Sequence, residues 1–165
     1  MVSIELVEMK ESDLDFFLEV RNSCSEKFLH DSRKFSLDDA KKWYLEKSPL
    51  FYIIKYQGER IGYFRTSNLD LNNRSIYIGC DIHENFRGKG LAYKSYLLFI
   101  PLITKKFGLD AILLEVLSTN TVAMNLYKKL GFLEKETKRE EVLKGNSLVD
   151  SIVMYINTKD LYNEG

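Results

Sequence analysis

At 165 residues the chain has the length of one domain, since a single hydrophobic core at this size buries roughly 70% of the unfolded surface. Apolar residues make up 45%, aromatics 13% and charges 29%, a balance that excludes a disordered or fibrous chain. Lysine plus arginine and aspartate plus glutamate cancel at 24 each, so no global field gathers a polyanion, and neither a nucleic-acid nor a membrane partner is expected. Cys24 and Cys80 are too few for a disulfide framework and too far apart for a zinc motif. With His30 and His83 the only histidines, no metal site is expected. The first ten residues include acids and no uninterrupted apolar stretch, and no run reaches the length of a membrane span, so a cytoplasmic protein is expected.

Ile4 to Met9 alternates as a strand, and Ser12-Asp13 then caps a helix in which Leu14, Phe17, Leu18 and Arg21 recur at helical spacing. A polar loop from Asn22 to Lys34 leads to a second cap, Ser36 with Asp39 three residues on, and Leu37, Ala40, Trp43 and Tyr44 form the next buried face. Pro49 closes this helical pair. Leu50 to Tyr56 turns at Gln57-Gly58 into Arg60 to Thr66, a hairpin. After the polar loop Asn68 to Arg74 comes a strand at Ile76 to Ile82, then the stretch His83-Glu84-Asn85-Phe86-Arg87-Gly88-Lys89-Gly90. The following helix runs from about Leu91 to Phe107, with Leu91, Ser95, Leu98 and Leu102 as its packed stripe and Gly108 as its C-cap. Pro101 lies inside it and predicts a kink or a break. Ala111 to Leu117 is an apolar run of strand length. Ser118-Thr119-Asn120 caps a helix that ends at Leu130-Gly131, with Val122, Leu126 and Leu130 buried and Tyr127 beside them. Phe132 to Glu141 and Leu148 to Asn157 close as a hairpin through Lys144-Gly145-Asn146. The order β-α-α-β-β-β-α-β-α-β-β predicts one α/β domain over residues 1–165 with a mixed sheet.

The chemistry concentrates at Arg87-Gly88-Lys89-Gly90-Leu91-Ala92, where a strand ends and a helix begins. Two glycines let the backbone turn tightly with its N–H groups outward, which makes an anion cradle. The helix N-terminus adds about half a positive charge, and Arg87, Lys89 and Lys94 outnumber Glu84, so a pyrophosphate suits the turn. The spacing is neither that of a P-loop nor that of the dinucleotide fingerprint.

Together with Asn120-x-x-Ala123-x-x-x-Tyr127-x-x-x-Gly131-Phe132, this segment resembles the GNAT superfamily of acyl-CoA-dependent N-acyltransferases. The first segment fits that family's Gln/Arg-x-x-Gly-x-Gly/Ala pyrophosphate loop, and the second fits its second cofactor-binding motif. The match extends from Leu50 to Tyr155 and looks most like the branch of ribosomal-protein N-terminal, polyamine and nucleotide-amino-sugar acetyltransferases. The resemblance implies an α/β fold with a mixed central sheet of about seven strands, about four flanking helices and a splayed strand pair at the cofactor site. It implies acetyl-CoA as acyl donor, bound by the backbone of Gly79, Cys80, Asp81 and Ile82 and by Arg87, Gly88, Lys89, Gly90, Leu91, Ala92, Asn120, Ala123 and Tyr127. It also implies a homodimer as one possible assembly.

Acetyl transfer from a thioester to an amine needs a neutral nucleophile, a stabilised oxyanion and a proton for the departing thiolate. Tyr127 is the candidate acid, because a phenol near pKa 10 can hydrogen-bond a developing thiolate of pKa about 8.5 and donate to it with modest tuning. Asp81 is the first candidate base, with His83, Glu115 or a water chain as alternatives. Cys80 raises an acyl-enzyme route, but direct attack in a ternary complex is simpler. Arg21, Asn22 and Arg65 are candidate contacts to a phosphate or carboxylate of the acceptor. The acceptor expected is the primary amine of a small molecule. An amino sugar on a nucleotide carrier is favoured over a polyamine, because Glu26, Asp31, Asp38 and Asp39 are set against Arg21, Lys27, Arg33 and Lys34. The alternatives are a protein N-terminal or lysine acetyltransferase and a non-catalytic acyl-CoA sensor.

Overall fold

The computed structural model describes residues 3–162. Among these residues the elements are β1 (Ile4–Glu8), α1 (Leu14–Cys24), α2 (Leu37–Lys47), β2 (Tyr52–Tyr56), β3 (Glu59–Asp70), β4 (Ser75–Ile82), α3 (Leu91–Phe107), β5 (Ala111–Leu117), α4 (Thr121–Leu130), β6 (Leu133–Lys144), β7 (Ser147–Asn157) and α5 (Thr158–Tyr162). Hydrogen bonding orders the strands β1-β2-β3-β4-β5-β7-β6 in one mixed sheet. β4 and β5 are parallel, whereas β1/β2, β2/β3, β5/β7 and β6/β7 are antiparallel. A parallel pair needs a long crossover, and α3 supplies it. The β4/β5 register stops after Tyr77↔Leu113 although β4 runs on to Ile82 and β5 to Leu117, the splay that the resemblance implied. The short α5 adds a helix to the four expected.

The chain divides into two compact units, one running to Thr66 with Cys80–Ser95, the other comprising Ser67–Gly79 and the chain from Tyr96 onward. In the first, Phe17 of α1 stacks on Trp43 of α2 at 5.3 Å and 9°, and meets Tyr63 of β3 at 4.8 Å. Such pairs add about 0.5–1.5 kcal/mol beyond the area they bury. The cap read at Ser36 is a reciprocal box: Asp39 N–H donates to Ser36 Oγ and Ser36 N–H to Asp39 Oδ2, each at 3.1 Å. Leu37, expected inside, is 42% exposed.

In the second unit β5 reads as a continuous apolar run because it is buried at nearly every position, flanked by β4 and β7. Of the predicted stripe of α3, Leu91 and Ser95 are buried, whereas Leu98 is 48% exposed, and beyond Ser95 the buried face is that of Tyr96, Phe99, Ile100 and Ile103. Two faces of α3 satisfy helical spacing, and the one carrying the larger rings is the one removed from water. No break occurs at Pro101, since α3 is continuous through it. The carbonyl that Pro101 leaves without a donor belongs to Leu97, which is exposed to water. On α4 Leu130 is buried as expected, whereas Val122 is 80% exposed and Tyr127 is buried.

Candidate functional site

In the first unit, β4 delivers the chain to a 3-10 turn, Glu84–Phe86, capped by His83. His83 Nδ1 accepts the Asn85 N–H at 3.1 Å, so the ring proton sits on Nε2, which faces Glu19 Oε1 at 3.2 Å. Both nitrogens are engaged, and His83 works here as a cap. Gly88 and Gly90 follow, each with φ of 74°, and a Cβ built on either meets no atom within 4 Å. Their need for glycine is therefore the left-handed backbone and not crowding. The space above the turn is open, as a pyrophosphate would require. Leu91 then begins α3, and Lys89 lies 5.7 Å from the Phe86 ring.

The end of β4 buries the first candidate base. Asp81 is 5% exposed, with Arg65 Nε 3.0 Å from its Oδ2 and Arg65 Nη2 donating to its Oδ1 at 3.4 Å. The Tyr63 hydroxyl adjoins this carboxylate, and burial, then Asp81, pushes the phenol well above its ordinary range. Burial also pushes the Cys80 thiol well up, with Asp81 adding to it, so the sulfur stays protonated and is no nucleophile at neutral pH. Gly62 of β3 was not singled out from the sequence, yet a Cβ there would sit 2.3 Å from the Asp81 carbonyl oxygen. Its one sequence signal was a glycine inside a strand pattern.

Arg21 and Asn22 hold the segment between α1 and α2. Arg21 donates to the Arg33 carbonyl at 2.6 Å and lies 4.4 Å from the Phe35 ring. Asn22 donates to and accepts from the Phe35 backbone at 3.0 and 3.1 Å. Asp31 is gripped by Arg33 at 2.7–3.1 Å, which holds its carboxyl at about 2.

In the second unit, Asn120 Oδ1 accepts the Ala123 N–H at 3.2 Å and caps α4. Tyr127 packs edge-on to Tyr96 at 5.9 Å and 83°, and lies 6.0 Å from Phe132. Gly131, at φ 103°, closes the helix, and the Phe132 N–H returns to the Tyr127 carbonyl at 2.9 Å. Glu115, the third base candidate, is paired: Lys138 Nζ lies 3.0 Å from one oxygen and Ser151 Oγ donates to the other at 3.2 Å. Glu115 in turn raises the Lys138 ammonium above its ordinary value.

The family model described as the Acetyltransferase (GNAT) family matches residues 13–132. Among solved structures, a spermidine N-acetyltransferase from Vibrio cholerae in complex with CoA and spermine superimposes with a TM-score of 0.88 at 21% identity, covering 94% of this chain and 96% of that one. A putative acetyltransferase from Salmonella typhimurium with acetyl-CoA gives 0.80 at 17%, covering 94% of each chain. A ribosomal-protein-alanine N-acetyltransferase from Brucella melitensis gives 0.81 at 16%, covering 93% and 99%. No curated protein matches the sequence.

Proposed function

The chain belongs to the acetyltransferase (GNAT) family, and from that premise we propose that it transfers the acetyl group of acetyl-CoA to a primary amine on a small molecule. The observation that carries this reading is the glycine turn at the head of α3, left-handed at both Gly88 and Gly90 and open above them. Bound acetyl-CoA would supply an acetyl thioester with a leaving thiol. The outward N–H groups of residues 88–92 and the charges of Lys89 and Lys94 would hold its pyrophosphate. The backbone of Gly79, Cys80, Asp81 and Ile82 would orient the thioester, and Tyr127 would hold a proton at its hydroxyl for the departing sulfur. Asp81, His83 and Glu115 are all engaged with other groups, so we assign removal of the amine proton to water. The protonated Cys80 thiol supports direct attack by the amine.

For the acceptor, we favour an amino sugar on a nucleotide carrier. Of the four acids set against Arg21, Lys27, Arg33 and Lys34, Asp31, between α1 and α2, is spent on Arg33, and Asp39, in the first turn of α2, is spent on its capping box, which leaves Glu26 and Asp38. Arg65 meanwhile keeps 40% of its side chain exposed over the buried Asp81. A polycation wants free carboxylates, whereas an anionic group suits this guanidinium. Replacing Arg65 by Gln is expected to raise KM for such an acceptor by about tenfold and to leave KM for spermidine unchanged or lower. Steady-state rates with both acceptors check this, and Arg65→Gln/Asp81→Asn separates recognition from the cost of an unpaired Asp81. A polyamine acceptor is the second reading, favoured by the spermine in the Vibrio cholerae neighbour. Higher kcat/KM for spermidine than for a nucleotide amino sugar would establish it.

Thermal unfolding tests the donor site. Acetyl-CoA at a hundred times its Kd should add about 2.7 kcal/mol, a rise in Tm of about 5–10 °C for a chain of this size. In Gly90→Glu a carboxylate enters the open side of the turn, and the rise should largely vanish. No shift at millimolar acetyl-CoA would leave the turn a mere connection.

A further inference from the structure

We propose that the Arg87 side chain is a positioning strut and not a phosphate ligand: it ties the glycine turn to the end of β4 and to the segment leaving α1. The proposal rests on the acetyl-CoA reading of that turn. From the sequence, Arg87 is the first residue of a phosphate-binding pattern. Its side chain is committed elsewhere. Nε donates to the Ile82 carbonyl at 2.9 Å, Nη2 donates to Cys24 Sγ at 3.0 Å, and the guanidinium carbon lies 5.4 Å from the Phe28 ring.

Each partner is itself fixed. Cys24 is 3% exposed, and burial, then Asp81, pushes its thiol above the ordinary range, so the sulfur is a neutral acceptor for a charged donor. The Phe28 N–H donates to the Cys24 carbonyl at 3.0 Å, so the chain leaving α1 presents both groups together. Ile82 is the last residue of β4, whose Gly79, Cys80 and Asp81 are assigned to the donor. A guanidinium is a rigid fork, and with Nε and Nη2 spent on two different elements its plane is set. One side chain therefore fixes where β4 ends relative to the turn, and relative to the segment leaving α1. Among the described residues none of its hydrogen-bond partners is a carboxylate, so its positive charge still acts at the turn.

Hydrogen exchange in the ligand-free protein reads the strut directly. Arg87→Gln is expected to speed exchange over residues 25–29 and 83–90 by about tenfold or more, whereas losing a phosphate ligand would leave exchange without donor unchanged. Cys24→Ala is expected to move the same amides in the same direction by a smaller factor. Kinetics with acetyl-CoA and with S-acetylpantetheine, which lacks every phosphate, read the consequence. KM for both donors should rise by comparable factors in Arg87→Gln, and also in Arg87→Lys, which keeps the charge and loses the fork. Unchanged exchange in either Arg87→Gln or Cys24→Ala overturns the proposal, as does a loss confined to acetyl-CoA and restored by Arg87→Lys. If the unaltered protein used neither donor, the acetyl-CoA reading would fail, and the exchange result would still decide the strut.

Discussion

Tyr127→Phe is expected to lower kcat by about a hundredfold or more while changing KM for acetyl-CoA little, because a positioned general acid contributes about 10²–10⁴ to a rate. The substitution is a clean probe of the hydroxyl. The ring is held by Tyr96 edge-on, by Phe132 and by the helix closure at Gly131, and phenylalanine keeps all three. Stability should therefore fall by about 1 kcal/mol or less, the worth of an ordinary hydrogen bond. Single-turnover acetyl transfer, compared with unfolding in urea, separates the two effects. A full rate in the variant would make Tyr127 a packing residue and move the proton source elsewhere.

Gly62→Ala should give the largest loss of stability among the glycines, about 3 kcal/mol by the usual cost of overpacking, or a fall in Tm of about 6–12 °C. The new Cβ would meet the Asp81 carbonyl oxygen at 2.3 Å and the Ile82 Cα at 3.0 Å. Both are backbone, so no side-chain rotation relieves the clash and the strands must part. Because the displaced residues are those assigned to the thioester, affinity for acetyl-CoA should fall as well. Gly58→Ala is the control: φ there is 82° with nothing within 4 Å, so only left-handed strain of about 1–2 kcal/mol applies. Equal midpoints for the two variants in denaturant would show that the close approach of β3 and β4 carries no special cost.

The sequence was most legible where interactions are local. The Ser36–Asp39 box, the Asn120 cap and the Gly131 closure all join residues a turn apart, and each appears with the hydrogen bonds its residue types imply. β5 was bounded correctly because a strand buried along its length reads as an unbroken apolar run. The faces of α3 and α4 were read only in part, with Leu91, Ser95 and Leu130 inside as expected. Spacing of three and four residues leaves two adjacent stripes, and the residue inside is decided by what packs opposite, as the exposed Leu98 and Val122 and the buried Phe99 and Tyr127 show.

The site divides along the same line. Two glycines and flanking cations at a strand-to-helix junction suffice to mark a phosphate turn, because left-handed φ and a helix N-terminus are properties of consecutive residues. Its side-chain partners are not consecutive. Asp81 finds Arg65 and Tyr63 on β3, Arg87 finds Cys24 on α1, and Glu115 finds Lys138 on β6. Sequence by itself determined most of the elements, the Ser36 and Asn120 caps though not the one expected at Ser12-Asp13, and the family's two motifs, since these rest on backbone preferences within a few residues. The tertiary structure alone decided which charged groups are free for chemistry, since burial drives each ionised side chain to the nearest opposite charge or donor across the fold, and in doing so it engaged all three side-chain candidates for the base.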